Sequence, residues 1–246
     1  MCEKCRQQVP IRRPQSSRRA VLRFAAASAF GLAFGGAGGA KELKTPPKPQ
    51  NVLSPDASLQ LLLRGNQRYV QGQSRRHDFR HEREALVGGQ NPYAGILSCA
   101  DSRIAPEYAF DSGRGDLFVC RVAGNFANPD TIASMEYAVA NLATPLILVL
   151  GHDSCGAVDA AIKSLRDDTT LPGHLPSLVT ALAPAVKATS QQPGNPLENA
   201  IRQNVIDNVA RLSSATPILS AAVEAHKLKV AGGIYRLRDG RVDMVT

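Results

Sequence analysis

From residue 54 onward the chain alternates short apolar runs with longer amphipathic stretches. Ala94 to Ser98, Asp116 to Val122, Pro145 to Gly151 and Leu228 to Leu237 are too short for ordinary helices, are rich in aliphatic residues, and read as strands. Between them, Asp130 to Leu142, Ala157 to Leu165, Leu178 to Ala188, Leu197 to Leu212 and Ile218 to His226 carry helical periodicity, and Ile104 to Phe110 a short helical turn containing Pro106. Strands alternating with helices of this length predict an α/β fold: a central, mostly parallel β-sheet flanked by helices on both faces. Right-handed crossovers would bring the ends of successive strands together. The last strand turns at Asp239-Gly240 into Val242 to Val245, a predicted hairpin.

Ahead of this core, Ser54 caps a predicted N-terminal helical arm whose apolar face is Leu59, Leu62, Leu63 and Tyr69, ending near Gly72. The charged stretch Arg75 to Glu84 reads as solvated surface. Its His77 and His81 are spaced to share a metal on a helix, but nothing nearby completes a site. The polar loop Asp167 to Pro176, with His174, also reads as surface. Residues 41–53 carry three prolines and three lysines, a linker composition. There is no internal repeat and no phosphate-binding glycine loop, since Gly35 to Gly39 follows no strand.

Charge changes the picture only at the start of the chain. The formal net charge of +8 invites a nucleic-acid reading, but residues 1–40 account for +6 of it and the other 206 residues for +2. Within that leader, Ser17 to Arg23 resembles the twin-arginine export motif around Arg18-Arg19, with Val21 where phenylalanine is usual. The uncharged stretch Phe24 to Gly39 follows, and Gly38 and Ala40 offer the small residues a signal peptidase requires. The stretch is short and weakly apolar against the roughly 20 apolar residues of a membrane span. Residues 1–40 are therefore expected to be an export signal and the mature protein periplasmic or secreted, with no nucleic-acid partner and no stable membrane span. An uncleaved amphipathic N-terminus is the alternative. The pair Cys2 and Cys5 would be lost on cleavage, and Cys120, inside a strand-like run, reads as a buried thiol.

The remaining chemistry concentrates in two short stretches, Cys99-Ala100-Asp101-Ser102-Arg103 and His152-Asp153-Ser154-Cys155-Gly156. Each follows a predicted strand, and in a parallel α/β sheet the loops past the carboxyl ends of strands carry the binding groups. Two thiolates and one imidazole suit Zn²⁺, and three protein ligands leave a fourth position for water or substrate. Asp101 can be a fourth ligand or a hydrogen-bond acceptor, and Arg103 is placed to pair with it. A Cys99–Cys155 disulfide in an oxidising compartment is the competing reading.

The pattern C-x-D-x-R, followed about fifty residues later by H-x-x-C, resembles the signature of the β-class carbonic anhydrases, and the likeness spans most of residues 54–246. Gln90 stands where that family has a glutamine, nine residues before the first cysteine; Phe118, Ala123 and Tyr137 match its apolar pocket, and Gly156 the glycine after the last ligand. The resemblance implies zinc on Cys99, His152 and Cys155, with Asp101 and Arg103 catalytic and Gln90, Phe118, Ala123, Tyr137 and Gly156 contacting substrate. It further implies reversible hydration of carbon dioxide to bicarbonate and a proton by a zinc-bound hydroxide. It implies a homodimer or tetramer as well, with the arm packed on a partner (a helix packing on its own domain is the alternative) and the site completed at the interface by Gln90 and Tyr137. Family members that close the site by moving the aspartate onto zinc carry a tryptophan three residues before the first cysteine. Ile96 stands there, so an open site is expected, with Asp101 held by Arg103. The residues alone admit hydrolysis of carbon disulfide or carbonyl sulfide at the same site, a non-catalytic zinc-stabilised binding module, or a redox protein.

Overall fold

The computed structural model describes residues 52–245. The predicted export leader, its two cysteines and nearly all of the linker lie outside these residues.

Helix α1 (Pro55–Val70) starts where the sequence places its cap: Ser54 Oγ accepts from the Ala57 N–H at 3.2 Å, an interaction of about 1 kcal/mol. A short α2 (Phe79–Ala85) precedes the core, which runs β1 (Ala94–Ser98), α3 (Pro106–Ala109), β2 (Leu117–Arg121), α4 (Pro129–Leu142), β3 (Leu146–His152), α5 (Gly156–Arg166), α6 (Pro176–Thr189), α7 (Pro196–Ser213), α8 (Ile218–Glu224), β4 (Lys229–Tyr235) and β5 (Val242–Met244). The sheet order is β2-β1-β3-β4-β5. The first four strands are mutually parallel and β5 returns antiparallel to β4.

Both faces of the sheet are covered, because the interiors of β1 and β3 carry aliphatic side chains on both sides. Leu97, Ile147 and Val149 face a core built with Met135 of α4, Ala161 of α5, Leu182 of α6, Ile201 and Val205 of α7 and Leu219 of α8. Ile96, Leu146, Leu148 and Leu150 face the other way, against Leu62 of α1, Ile104 and Phe110. Each such side chain removed from water contributes roughly 1.5–3 kcal/mol. At one end of the sheet, β2 has a neighbour on one side only, and its residues are half-buried or exposed.

Several expectations need correction. The inner face of α1 packs on its own domain rather than being left for a partner: Leu62 is fully buried, and Leu59 and Tyr69 pack against the same core. Gly65 allows this close approach, since a Cβ there would meet the Phe110 carbonyl. Buried Asn66 completes the seam, donating through Nδ2 to the Ala109 and Gly240 carbonyls at 2.9 and 2.8 Å and accepting from the Val242 N–H at 2.9 Å. The Arg75 to Glu84 stretch is not merely solvated surface either. Asp78 caps α2, and His77 Nδ1 lies 2.9 Å from Glu82 Oε1 and its Nε2 3.8 Å from Asp111. Cys120 is half-buried on the edge strand, and α8 stops two residues early, before His226 adopts a left-handed φ of 55°.

Candidate active site

Parallel pairing of β1 with β3 brings their carboxyl ends side by side, with Ser98 opposite Leu150. Cys99 is the first residue past β1, whereas His152 is the last residue of β3 itself rather than part of the loop beyond it. The chain then turns through Ser154, at a left-handed φ of 52°, into Cys155, the N-cap of α5. All three side chains are buried, and their ligand atoms lie within 4.8 Å of one another.

The donor set fits a zinc ion. The two sulfurs are 4.0 Å apart, close to the ~3.8 Å separation that two 2.3 Å Zn–S bonds at a tetrahedral angle require. That spacing is twice the ~2.05 Å of a disulfide, and both thiols are free, so the disulfide reading fails. His152 Nδ1 is 2.8 Å from the Asp153 carbonyl, which makes it the protonated nitrogen; Nε2 is then an acceptor, buried and without a partner. An orphaned imidazole nitrogen in a cluster with two buried sulfurs is the arrangement a metal ligand adopts, its tautomer fixed by the outer hydrogen bond.

Electrostatics argues the same way. The hydrogen bond from Cys155, helped by His152 and the Gly124 N–H, draws the Cys99 thiol down to about 4 against the effect of burial. Cys99, now a neighbouring thiolate, joins burial in pushing Cys155 up, although the Ala157 and Val158 N–H groups at the start of α5 favour its ionised form. One sulfur thus ionises readily and the second cannot follow beside it unaided. A dication between them removes that conflict.

Asp101 stands at the edge of this cluster, Oδ2 3.9 Å from His152 Nε2. Arg103 grips it bidentately, Nε to Oδ1 at 2.9 Å and Nη2 to Oδ2 at 2.6 Å, while its own backbone N–H also reaches Oδ1 at 2.9 Å. These bonds hold the carboxyl well below the usual carboxylate range. Arg103 Nη2 lies 3.2 Å from the Ser154 carbonyl as well, joining the two ligand loops.

The other expected site residues divide into two groups. Phe118 and Tyr137 pair, ring centroids 6.4 Å apart, with Tyr137 about half exposed. Ala123 is half-buried in the turn after β2, and Gly156 is exposed at the first position of α5. Gln90, by contrast, lines a groove of about 1060 Å³ with Tyr69, His77, Tyr108, Asp111 and Leu117, and none of the three candidate ligands lines it.

Three supporting groups escape a reading of the motifs. Gly124, at a φ of 87°, donates its N–H to Cys99 Sγ at 3.3 Å. Its carbonyl accepts from Asn204 Nδ2 at 2.8 Å, and Asn208 bonds both Asn204 and the Ala127 N–H. The signal for this ladder was present as two asparagines four apart on an otherwise apolar helix face. Arg121 is the third; its guanidinium contacts the carbonyls of Cys99, Asp101 and Ile104.

The family model for carbonic anhydrase matches residues 94–242. Carbonic anhydrase 2 of Mycobacterium tuberculosis is 38% identical over 189 residues, covering 76% of this chain and 91% of the relative. Carbonic anhydrase of Mycolicibacterium smegmatis is 36% identical over 192 residues, covering 78% and 93%. Among solved structures, the β-carbonic anhydrase CcaA superposes with a TM-score of 0.59 at 29% identity, covering 76% of this chain and 91% of that one. A match from a study of two tetrameric β-carbonic anhydrases of Sordaria macrospora gives a TM-score of 0.60 at 25% identity, covering 76% and 96%. Sequence, fold and ligand cluster agree, and the chain belongs to the β-carbonic anhydrase family of enzymes.

Proposed function

We propose that this enzyme binds one Zn²⁺ per chain through Cys99, His152 and Cys155 and catalyses the reversible hydration of carbon dioxide to bicarbonate and a proton. The observation that carries the reading is the orphaned His152 Nε2 buried between two free thiols, with an Arg103-held carboxylate 3.9 Å away. Bound at these ligands, zinc supplies Lewis acidity, making a hydroxide nucleophile available near neutral pH.

The chain's own residues do the rest. Asp101 accepts the hydrogen bond of the nucleophile at Oδ2, which turns a lone pair toward the substrate. Arg103 keeps that carboxylate ionised and drawn away from the ligand set, the open arrangement expected with Ile96 in place of tryptophan. Phe118 and Ala123, with Tyr137 of the partner subunit, form the apolar side of a slot for a small uncharged molecule and exclude water from it. The Gly156 N–H and the Gln90 amide donate to the substrate oxygens as negative charge develops.

Gln90 lies along a different groove of its own chain, so in this reading the amide comes from Gln90 of the partner subunit. A homodimer or tetramer is therefore part of the proposal. The half-paired edge strand β2, exposed Tyr108 and Tyr137, and the apolar side chains of Phe79 and Val87 support it. Export through the Arg18-Arg19 leader to the periplasm or beyond is likewise proposed. Zinc analysis with stopped-flow hydration assays tests the reaction. Parallel assays on carbon disulfide and carbonyl sulfide test the substrate, and turnover of either gas without carbon dioxide hydration would replace the reading.

A further inference from the structure

Three carbonyl groups of the loop that carries Cys99 and Asp101 converge on one side chain. Arg121, the last residue of β2, pairs in register with Ser98, the last residue of β1. The ladder runs one step further, with the Val122 N–H donating to the Ser98 carbonyl at 3.1 Å and the Ala100 N–H to the Val122 carbonyl at 3.3 Å. From that anchored position the guanidinium folds across the loop. Nε donates to the Cys99 carbonyl at 3.0 Å, and Nη2 donates to the Asp101 carbonyl at 2.7 Å and the Ile104 carbonyl at 2.9 Å.

The geometry has a direct chemical consequence. Three carbonyl dipoles pointing at one spot repel unless a cation with several fixed donors sits there, and a planar guanidinium supplies both the charge and the directions. The Ile104 N–H shares the Asp101 carbonyl at 3.1 Å, and the Arg103 N–H meets Asp101 Oδ1 at 2.9 Å. Cys99 and Asp101 have their backbones fixed by the same group. A lysine has the charge but only a single nitrogen, which cannot reach three acceptors spread along residues 99–104 in these directions.

We infer that Arg121 is a positioning residue for the reaction: through the Cys99, Asp101 and Ile104 carbonyls it sets the distance and angle between the Cys99 sulfur and the Asp101 carboxylate. It touches neither substrate nor metal. The inference rests on the proposed hydration reaction and extends it from the ligand set to the residue that shapes the ligand loop. Outer partners of this kind typically govern 10–100-fold in activity or metal affinity.

The experiment compares wild type, Arg121→Lys and Arg121→Ala. Each is measured as zinc protein for kcat and KM of hydration and for zinc release to a chelator, and as cobalt(II) protein for its ligand-field absorption. The expected result for Arg121→Lys is a ~10–100-fold fall in kcat with KM little changed, faster zinc release and a displaced cobalt spectrum. Added guanidinium ion should restore kcat and spectrum per folded, metal-loaded Arg121→Ala chain. Wild-type kcat and spectrum in Arg121→Lys would overturn the inference. So would losses that follow only the folded fraction, including guanidinium that rescues folding but not the activity of each folded chain. A wild-type protein that binds zinc and hydrates no carbon dioxide would defeat the proposed reaction instead, and the cobalt spectra and release rates would still decide the positioning role.

Discussion

Arg103 holds both carboxylate oxygens of Asp101 and leaves Oδ2 3.9 Å from His152 Nε2. The carboxylate is therefore near the candidate metal site yet already committed to a cation of its own. Replacing it by an amide keeps the shape and removes the charge. Asp101→Asn is expected to keep its zinc and lose roughly 10²–10⁴-fold in kcat, the usual scale for a proton-handling group. Retained zinc with unchanged kcat would remove Asp101 from the reaction.

The ligand assignment predicts a sharp contrast among cysteines. Cys99→Ser, Cys155→Ser and His152→Ala should each lose the metal and the hydration activity together, while Cys120→Ser, on the edge strand, should keep both. Elemental analysis beside activity checks this. A metal-free wild type that gains no activity on adding zinc contradicts the reading.

Asp111 predicts a pH dependence of stability. Its buried carboxylate receives Arg68 Nε at 2.5 Å, the Arg75 N–H at 2.8 Å and Arg75 Nε at 3.3 Å. Burial works to raise its pKa, but the arginines and the Arg75 N–H outweigh it and the net shift is downward. A depressed carboxyl stabilises fully above its unfolded value near 3.9, and that stability is lost as pH falls through the folded value. Asp111→Asn should therefore be less stable than wild type by ~1–3 kcal/mol at pH 7, with the gap closing below about pH 4. Urea midpoints at the two pH values measure it. A gap that widens in acid reverses the assigned sign.

Export predicts a shortened chain. Replacing Arg18 and Arg19 by lysine should hold the protein in the cytoplasm, and the exported form should begin shortly after Ala40. Sequencing the N-terminus of each cell fraction decides; a periplasmic protein still beginning at Met1 argues against cleavage.

Assembly is testable through Gln90. If the amide of the partner subunit serves the site, sedimentation should give a dimer or tetramer, and dilution to monomer should abolish activity. Gln90→Ala should lower kcat without dissolving the assembly. A fully active monomer at high dilution excludes a shared site.

The elements and the Cys99, His152 and Cys155 cluster are legible in the sequence because each rests on local pattern. The apolar strands Ala94–Ser98 and Leu146–His152 and the Ser54 cap are written within a few residues of themselves. What escaped depends on contacts between distant residues. Asn66 secures α1 through partners 43 to 176 residues away, so the arm's own-domain packing could not be read from its apolar face. Arg121 bonds backbone carbonyls, which have no side-chain signature in a sequence, whereas the Asn204 and Asn208 spacing on α7 was a signal left unread. His77 reads as surface because one of its two acidic neighbours, Asp111, lies in the distant turn after α3.

The two strands that deliver the ligands are interior to the sheet: β1 is bonded to β2 and β3, and β3 to β1 and β4. Displacing either strand requires two ladders to break, which places the candidate metal site in the last part of the molecule to open under local unfolding. Slow amide exchange should therefore converge on Leu97 and Val149, at rates set by global stability. The edge strand β2, held by a single ladder, should exchange sooner than either of them.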